Sequence, residues 1–183
     1  MKQPVFIVRP FVTGDVTELA LVFHLSVNQG AVSHYSQQER AAWSPNLRSD
    51  EVWLERLSGT LTWVAEANQQ IIGFINLKKP CDFKGDSNID IEQAIAGSLA
   101  HAEVDCLFTH PEFVGVGVAK ALYRELERKA LILGIKQLTV QASYLAKPVL
   151  ERFGFQTIKQ NSHNKGNQVL VNFSMVKQLY QLH

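Results

Sequence analysis

Two sets of residues in this chain stand at spacings that could do chemistry. Gly115 and Gly117 are one residue apart in "PEFVGVGVAKAL" (111–122), between a strand-like run and a helical pattern. A loop of this kind ends on a helix N-terminus, where N–H groups lack partners and a partial positive charge collects. A phosphate suits both features, and glycine lets the backbone approach it closely. Upstream, Glu103 and Asp105 stand two apart in "AEVDCLFT" (102–109). On a regular strand that spacing puts both carboxylates on one face with Leu107 and Thr109, and Val104, Cys106 and Phe108 on the other. Cys106 then reads as a core thiol.

Three kinds of phosphate loop compete. A P-loop needs G-x-x-x-x-G-K-[ST], but Lys120 is followed by Ala121 and the glycines are too close. A dinucleotide fingerprint needs G-x-G-x-x-G directly after a strand. Here Lys120 holds the third glycine position, and Pro111 lies between strand and loop. The third kind is x-x-G-x-[GA] opening a long helix, which Gly117 and Ala119 satisfy.

The elements that must position these residues follow from periodicity. A strand at 4–9 precedes a helix from Asp15 to about Val27. Ser36 and Glu39 form a capping box that opens a short helix through Trp43. "DEVWLERL" is a further short helix. "LTWVAEA" and "IIGFINL" pair as a hairpin around "NQQ". The stretch 79–100 is irregular and reads as an insertion. Strand 102–109 leads through the loop to a helix from Gly117 to Leu133, with an apolar stripe at Val118, Leu122, Leu126, Ala130 and Leu133. Gly134 is its C-cap. "KQLTVQA" is a strand, "AKPVLERF" a short helix, and "GFQTIKQ" with "QVLVNFSMV" a final hairpin. With no repeat and no linker, residues 1–183 read as one α/β domain with a mixed sheet.

Composition narrows the partners. Apolar residues make up 46 %, charged residues 19 %, and the net charge is +1. No run of Lys and Arg is present, so nucleic acid and anionic membranes are not expected partners. No stretch reaches the roughly 20 apolar residues of a membrane span, and "MKQPVFIVRP" does not read as a signal peptide. The two cysteines, Cys81 and Cys106, make no disulfide framework or zinc site. A cytoplasmic protein without a metal is the expectation.

The residues "LFTHPEFVGVGVAKAL" (107–122) resemble motif A of the GNAT superfamily of N-acetyltransferases. They match at Leu107, Phe108, Pro111, Phe113, Gly115, Gly117, Val118, Ala119, Ala121 and Leu122. "ASYLAKPVLERFGF" (142–155) resembles motif B at Ala146, Glu151, Gly154 and Phe155. "HYSQQERAAW" and "KPVLERFGFQTIKQ" are similar to a branch of small bacterial members with undefined substrate. The resemblance covers the whole chain except 79–100. It implies the GNAT fold: a mostly antiparallel sheet of six to seven strands, with strands 4 and 5 splayed and helices on both sides. It implies acetyl-CoA as cosubstrate and an amine of a small molecule or protein as acceptor. Dimerisation is common in this fold, so a homodimer is possible.

The same resemblance implies roles. Leu107, Phe108 and Thr109 would hold the pantetheine and acetyl group on strand 4. The loop and helix start, Val114, Gly115, Val116, Gly117, Val118, Ala119 and Lys120, would hold the pyrophosphate. Ala146 and Ser143 would border the pantetheine arm, although Ser143 reads equally as a helix cap. Transfer to an amine needs a neutral nitrogen and a base for its proton. Glu103 stands where several members have a general base, and Asp105 is the second candidate. His34 and Tyr35, between the first two helices, are acceptor-site candidates, and Tyr35 also reads as a packing residue. Trp43, Trp53 and Trp63 read as core.

Two departures stand out. Val114 replaces the Arg or Gln usual at its position and keeps only the backbone donor. Leu150 replaces the Tyr that protonates the leaving thiolate in many members; Tyr144, Tyr35 and His34 are possible substitutes. Both departures allow an alternative, a non-catalytic or sensory acyl-CoA-binding module.

Overall fold

A computed structural model describes residues 4–78 and 101–180; the insertion read at 79–100 lies outside them. The strands are β1 (Ile7–Pro10), β2 (Thr60–Ala67), β3 (Gln70–Lys78), β4 (His101–Thr109), β5 (Gln137–Ala142), β6 (Gln156–Lys165) and β7 (Gln168–Gln178). The helices are α1 (Val16–Leu25), α2 (Gln37–Trp43), α3 (Asp50–Leu57), α4 (Val118–Ile132) and α5 (Lys147–Arg152). A π turn, Ser26–Gly30, prolongs α1. One sheet runs in the order β1-β2-β3-β4-β5-β7-β6. All neighbours are antiparallel except β4 and β5.

Local chemistry sets several boundaries. The β2–β3 turn places Asn68 and Gln69 at φ 49° and 64°, the left-handed pair that a tight hairpin requires. The capping box forms as the spacing predicts: Ser36 N–H donates to Glu39 Oε2 at 2.8 Å, and Glu39 N–H to Ser36 Oγ at 3.2 Å. At the end of α4, Gly134 takes φ 75° and Ile135 N–H reaches Ala130 C=O. Together they satisfy the last carbonyls.

The sheet is packed on both faces. On one, Val118, Leu122, Tyr123, Leu126 and Ala130 of α4 cover β2 to β5. On the other, Leu19 and Phe23 of α1 and Trp53 of α3 pack with Phe74 and Cys106. Arg9 ties β1 to its surroundings. Its guanidinium donates to both Asp15 oxygens at 2.7 Å and to Glu66 Oε2 at 2.6 Å. The Arg9 hydrogen bonds hold the Asp15 carboxyl below its usual value. A depressed carboxylate stabilises the fold above its unfolded pKa, about 4, and loses that contribution as pH falls through the lower folded value. Asp15→Asn is therefore expected to cost about 2 kcal/mol at pH 7. In urea titrations its gap from wild type should narrow as pH falls below the unfolded value of about 4 and through the lower folded one; a gap that does not narrow assigns the loss to packing.

The pairing that matters for function is that of β4 and β5. They pair only from His101↔Gln137 to Val104↔Val140. Beyond Val104 they diverge, and a wedge opens in the middle of the sheet.

Candidate functional site

The wedge begins at a β-bulge. Asn76 of β3 pairs with Cys106 and Leu77 with Val104, so Asp105 has no partner on β3. The extra residue shifts the alternation of β4. Ala102, Val104 and Leu107 lie against the α4 side, while Cys106 and Phe108 pack on the α1 and α3 side. This corrects the face assignment expected from regular alternation. Cys106 does not point away from the acids: its Sγ lies 3.3 Å from Asp105 Oδ2 and 3.6 Å from Arg56 Nη2. Leu107 lies on the other face. The thiol is not a nucleophile, because burial and Asp105 push its pKa up to about 12.

Backbone groups of β4 beyond the bulge face the wedge. His110 N–H donates to Ile72 C=O of β3 at 2.8 Å. Successive residues aim their backbone groups at opposite strand edges, so Leu107 and Thr109 present theirs at the open edge. Ser26, in the π turn after α1, donates its hydroxyl to Thr109 C=O at 3.0 Å and so fixes this end of the strand to α1.

The glycine loop closes the wedge. Gly115 and Gly117 take φ +84° and +96°, and a Cβ on either would meet nothing within 4 Å. Glycine is needed here for conformation, not for room. The first helical bond of α4 runs from Ala121 N–H to Gly117 C=O. The N–H groups of Val118, Ala119 and Lys120 are thus the unpaired donors of the helix start.

Loop and strand enclose a cavity of about 640 Å³. Leu107, Phe108 and Thr109 line it from β4. Val114, Gly115 and Gly117 line it from the loop, and Val118, Ala119 and Lys120 from the helix start. Ser143 and Ala146 close the far side. Val116 instead packs against the core. Arg152, which the sequence reading missed, joins Lys120 as a second cation on the wall. Lys120 is in the first turn of α4, where a cation opposes the helix dipole. An anion between them relieves that conflict, so the residues present fit a pyrophosphate.

The acids stand elsewhere. Neither Glu103 nor Asp105 lines this cavity. Glu103 pairs with Thr139 of β5, just below the divergence, and its Oε1 meets Lys78 Nζ at 3.2 Å. Asp105 receives Arg56 at 3.0 Å, Lys78 at 3.2 Å and Asn76 at 3.4 Å. Burial alone would raise its carboxyl, but Arg56 and Lys78 outweigh burial and hold it below the usual range.

A smaller cavity, about 230 Å³, adjoins the first and shares Trp43 and Ser143 with it. Tyr35 lines it and is also buried, its ring 5.5 Å from that of Trp43. The Tyr35 hydroxyl accepts the N–H of Tyr144 at 3.0 Å. His34 is exposed, sits beside Ser33 and lines neither cavity. Ser143 Oγ accepts Ala146 N–H at 3.1 Å in the turn that leads into α5, whose N-cap is Ala146 and not Ser143. Trp53 and Trp63 are core, but Trp43 is half-buried and forms the wall between the cavities, a correction to its expected place. Leu150 is buried in the core and has no proton to give.

Sequence reasoning also missed Gly73 of β3. A Cβ there would lie 2.7 Å from Val118 Cγ1 and 3.0 Å from Phe108 C=O. Its absence lets the start of α4 settle on the sheet. No local signal marks it, since its partners are distant in the chain.

A mixed sheet split between parallel strands 4 and 5, with a glycine loop and helix N-terminus at the split, defines the N-acetyltransferases of the GNAT fold. The chain belongs to that family: the acetyltransferase (GNAT) domain matches residues 31–178. As a member of that family it is an N-acetyltransferase. It is 35% identical over 169 residues to the uncharacterized N-acetyltransferase YafP of Escherichia coli K12, covering 92% of this chain and 93% of that protein. The crystal structure of a GCN5-related N-acetyltransferase from Rhodopseudomonas palustris superposes with a TM-score of 0.77 at 28% identity, over 98% of each chain. A GNAT phosphinothricin acetyltransferase from Sinorhizobium meliloti, solved with AcCoA, shares the fold at a TM-score of 0.69 and 20% identity, over 95% of this chain and 88% of that one. Among the described residues, no helix is long and apolar enough to cross a membrane, and no group of three His, Cys, Asp or Glu could hold a metal.

Proposed function

We propose that the protein moves the acetyl group directly to an amine of a small molecule bound in the smaller cavity. The observation that carries this reading is the junction of the two cavities at Trp43 and Ser143, beside the open edge of β4. The N–H groups of Val118, Ala119 and Lys120 bind the pyrophosphate, with Lys120 and Arg152 as counter-charges. Leu107 and Thr109 hold the acyl arm and stabilise the negative charge that develops on the acetyl oxygen. The amine nitrogen bonds to the acetyl carbon as the carbon–sulfur bond breaks.

Glu103 takes the amine proton. It lies below the divergence of the strands, so the proton travels through water. Asp105 is the poorer base, because its charge is already committed to Arg56 and Lys78. Leu150 supplies no acid, so solvent protonates the departing thiolate. Acetyl-CoA use and the buried free thiol of Cys106 fit a cytoplasmic enzyme. A homodimer belongs to the same reading and is tested by sedimentation.

The deciding experiment measures free thiol release with a panel of amines, beside acetyl-CoA binding by calorimetry. Turnover with at least one amine is expected. Tight acetyl-CoA binding without turnover on any amine favours the sensory module, the reading that Leu150 and Val114 support.

A further inference from the structure

The smaller cavity carries a charge pattern that specifies its ligand. Its polar lining includes Gln141, Asn172 and Asn164, with His163 and Lys165 as its ionisable members besides Tyr35. Among the described residues no Asp or Glu lines it, and none lines the larger cavity. Glu39 acts on Tyr35 from outside the lining, so among the described residues a polycationic acceptor would meet no carboxylate on the wall itself.

The carboxamides point the same way. Gln141 Oε1 already accepts from Asn161 Nδ2 at 3.3 Å and from Ser174 Oγ at 3.1 Å. Asn172 Oδ1 accepts from Asn161 Nδ2 at 3.1 Å. Asn161 and Ser174 thus occupy the acceptor ends. The amide N–H groups of Gln141 and Asn172, which have no protein partner among the described residues, are left for a ligand. The cavity offers donors.

Lys165 adds a charge without an ion pair among the described residues. It reaches from the end of β6 and donates to Trp43 C=O at 3.1 Å, on the wall between the cavities. Behind that wall, Arg48 lies over the rings of Phe23 and Trp53 at 4.8 and 5.9 Å, also without an ion pair among the described residues. Arg56 lies over Trp53 at 5.6 Å and holds Asp105. Burial and the like charges of Arg48 and Arg56 keep the Lys165 ammonium below its usual value. Three cations act on one another here, with one carboxylate that Lys78 also shares. Lys165 and Arg56 are exposed and Arg48 is half-buried, so their mutual repulsion is moderate, and an anion that joins Lys165 relieves it.

We infer that the acceptor is an amine whose own molecule carries a carboxylate, bound by Lys165 together with the amide donors of Gln141 and Asn172. Two carboxylate oxygens match a cation flanked by two N–H₂ groups. The inference rests on the proposed transfer to an amine in this cavity. It narrows the acceptor from any amine to α- or ω-amino acids and excludes polyamines.

Matched pairs test it. Initial rates are measured for L-phenylalanine against phenethylamine, L-methionine against 3-(methylthio)propylamine, and phosphoethanolamine against ethanolamine. The carboxylated member of a pair should exceed its partner in kcat/KM by about tenfold or more. Lys165→Met should remove that preference through KM of the carboxylated substrate, with kcat and the Kd for acetyl-CoA within about threefold of wild type. Lys165→Arg should keep most of it. Equal rates for both members of every pair, or a Lys165→Met variant that slows both equally, overturn the inference and leave acetyl transfer standing. A preference confined to phosphoethanolamine replaces the carboxylate by a phosphoryl group and overturns it as stated. Acetyl-CoA binding with no turnover on any of the six amines removes the transfer reading itself.

Discussion

Glu103→Gln should lower kcat/KM for the best acceptor by about 10²- to 10⁴-fold, the span a positioned general base contributes. Gln preserves the size of the side chain and still accepts a hydrogen bond from Lys78, which meets Glu103 at 3.2 Å. What it loses is the ability to take a proton. The loss should fall on kcat, since Glu103 does not line the larger cavity, where we propose that acetyl-CoA binds. The pH dependence is the sharper readout. Wild type should show two contributions to the rise of rate with pH, the enzyme base and the substrate ammonium. The variant should retain only the second. An unchanged profile removes Glu103 from the mechanism, whatever the fall in rate.

Asp105→Asn separates the two acids. Asp105 is held by Arg56, Lys78, Asn76 and the Cys106 thiol. Losing its charge leaves Arg56, partly exposed on α3, without its carboxylate and Lys78 with Glu103 alone. Its cost should appear first in stability, about 1–2 kcal/mol, and in rate only as far as the bulge is disturbed.

Much of the fold was legible because its signals are local. The capping box at Ser36, the tight β2–β3 turn and the stripe of α4 each depend on residues within one or two turns of chain. The glycine loop before α4 was legible for the same reason. It is a backbone device, and glycines two apart before a helix announce it. What alternation could not reveal was the bulge. It depends on how β4 pairs with β3, and one unpaired residue, Asp105, carries Cys106 to the acid side and Leu107 away from it. Trp43 looked like core because a large aromatic usually is; only the meeting of α2 with the β6–β7 hairpin turns it into a cavity wall. Lys165 and Arg48 are far apart in sequence and ordinary by type. Their charges act together only because that hairpin folds back over α2.

Gly73→Ala should be the most damaging single methyl added near the start of α4. The new Cβ would stand 2.7 Å from Val118 Cγ1, 3.0 Å from the Phe108 carbonyl oxygen and 3.2 Å from Leu122 Cδ1. Val118 and Leu122 are fully buried, so neither side chain has room to swing away, and the third atom is backbone. Val118 is the first residue of α4 and is buried, so relief requires the helix start to lift from β3. That movement carries the unpaired N–H groups of Val118, Ala119 and Lys120 with it. Overpacking of this kind costs about 1–3 kcal/mol, and the displaced donors should weaken acetyl-CoA binding about tenfold. Val118→Ala on its own removes buried methyl groups and costs about 1–2 kcal/mol. Combined with Gly73→Ala it removes the nearest clash, so the double variant should bind acetyl-CoA more tightly than Gly73→Ala alone. The two losses should therefore be less than additive. Rescue should stay incomplete, because the Phe108 carbonyl cannot move without disturbing β4. Gly117→Ala is the contrasting case. It meets open space but must hold φ +96°, so Val118→Ala should give it no relief. Wild-type melting and acetyl-CoA affinity in Gly73→Ala would show that α4 is not seated through this contact.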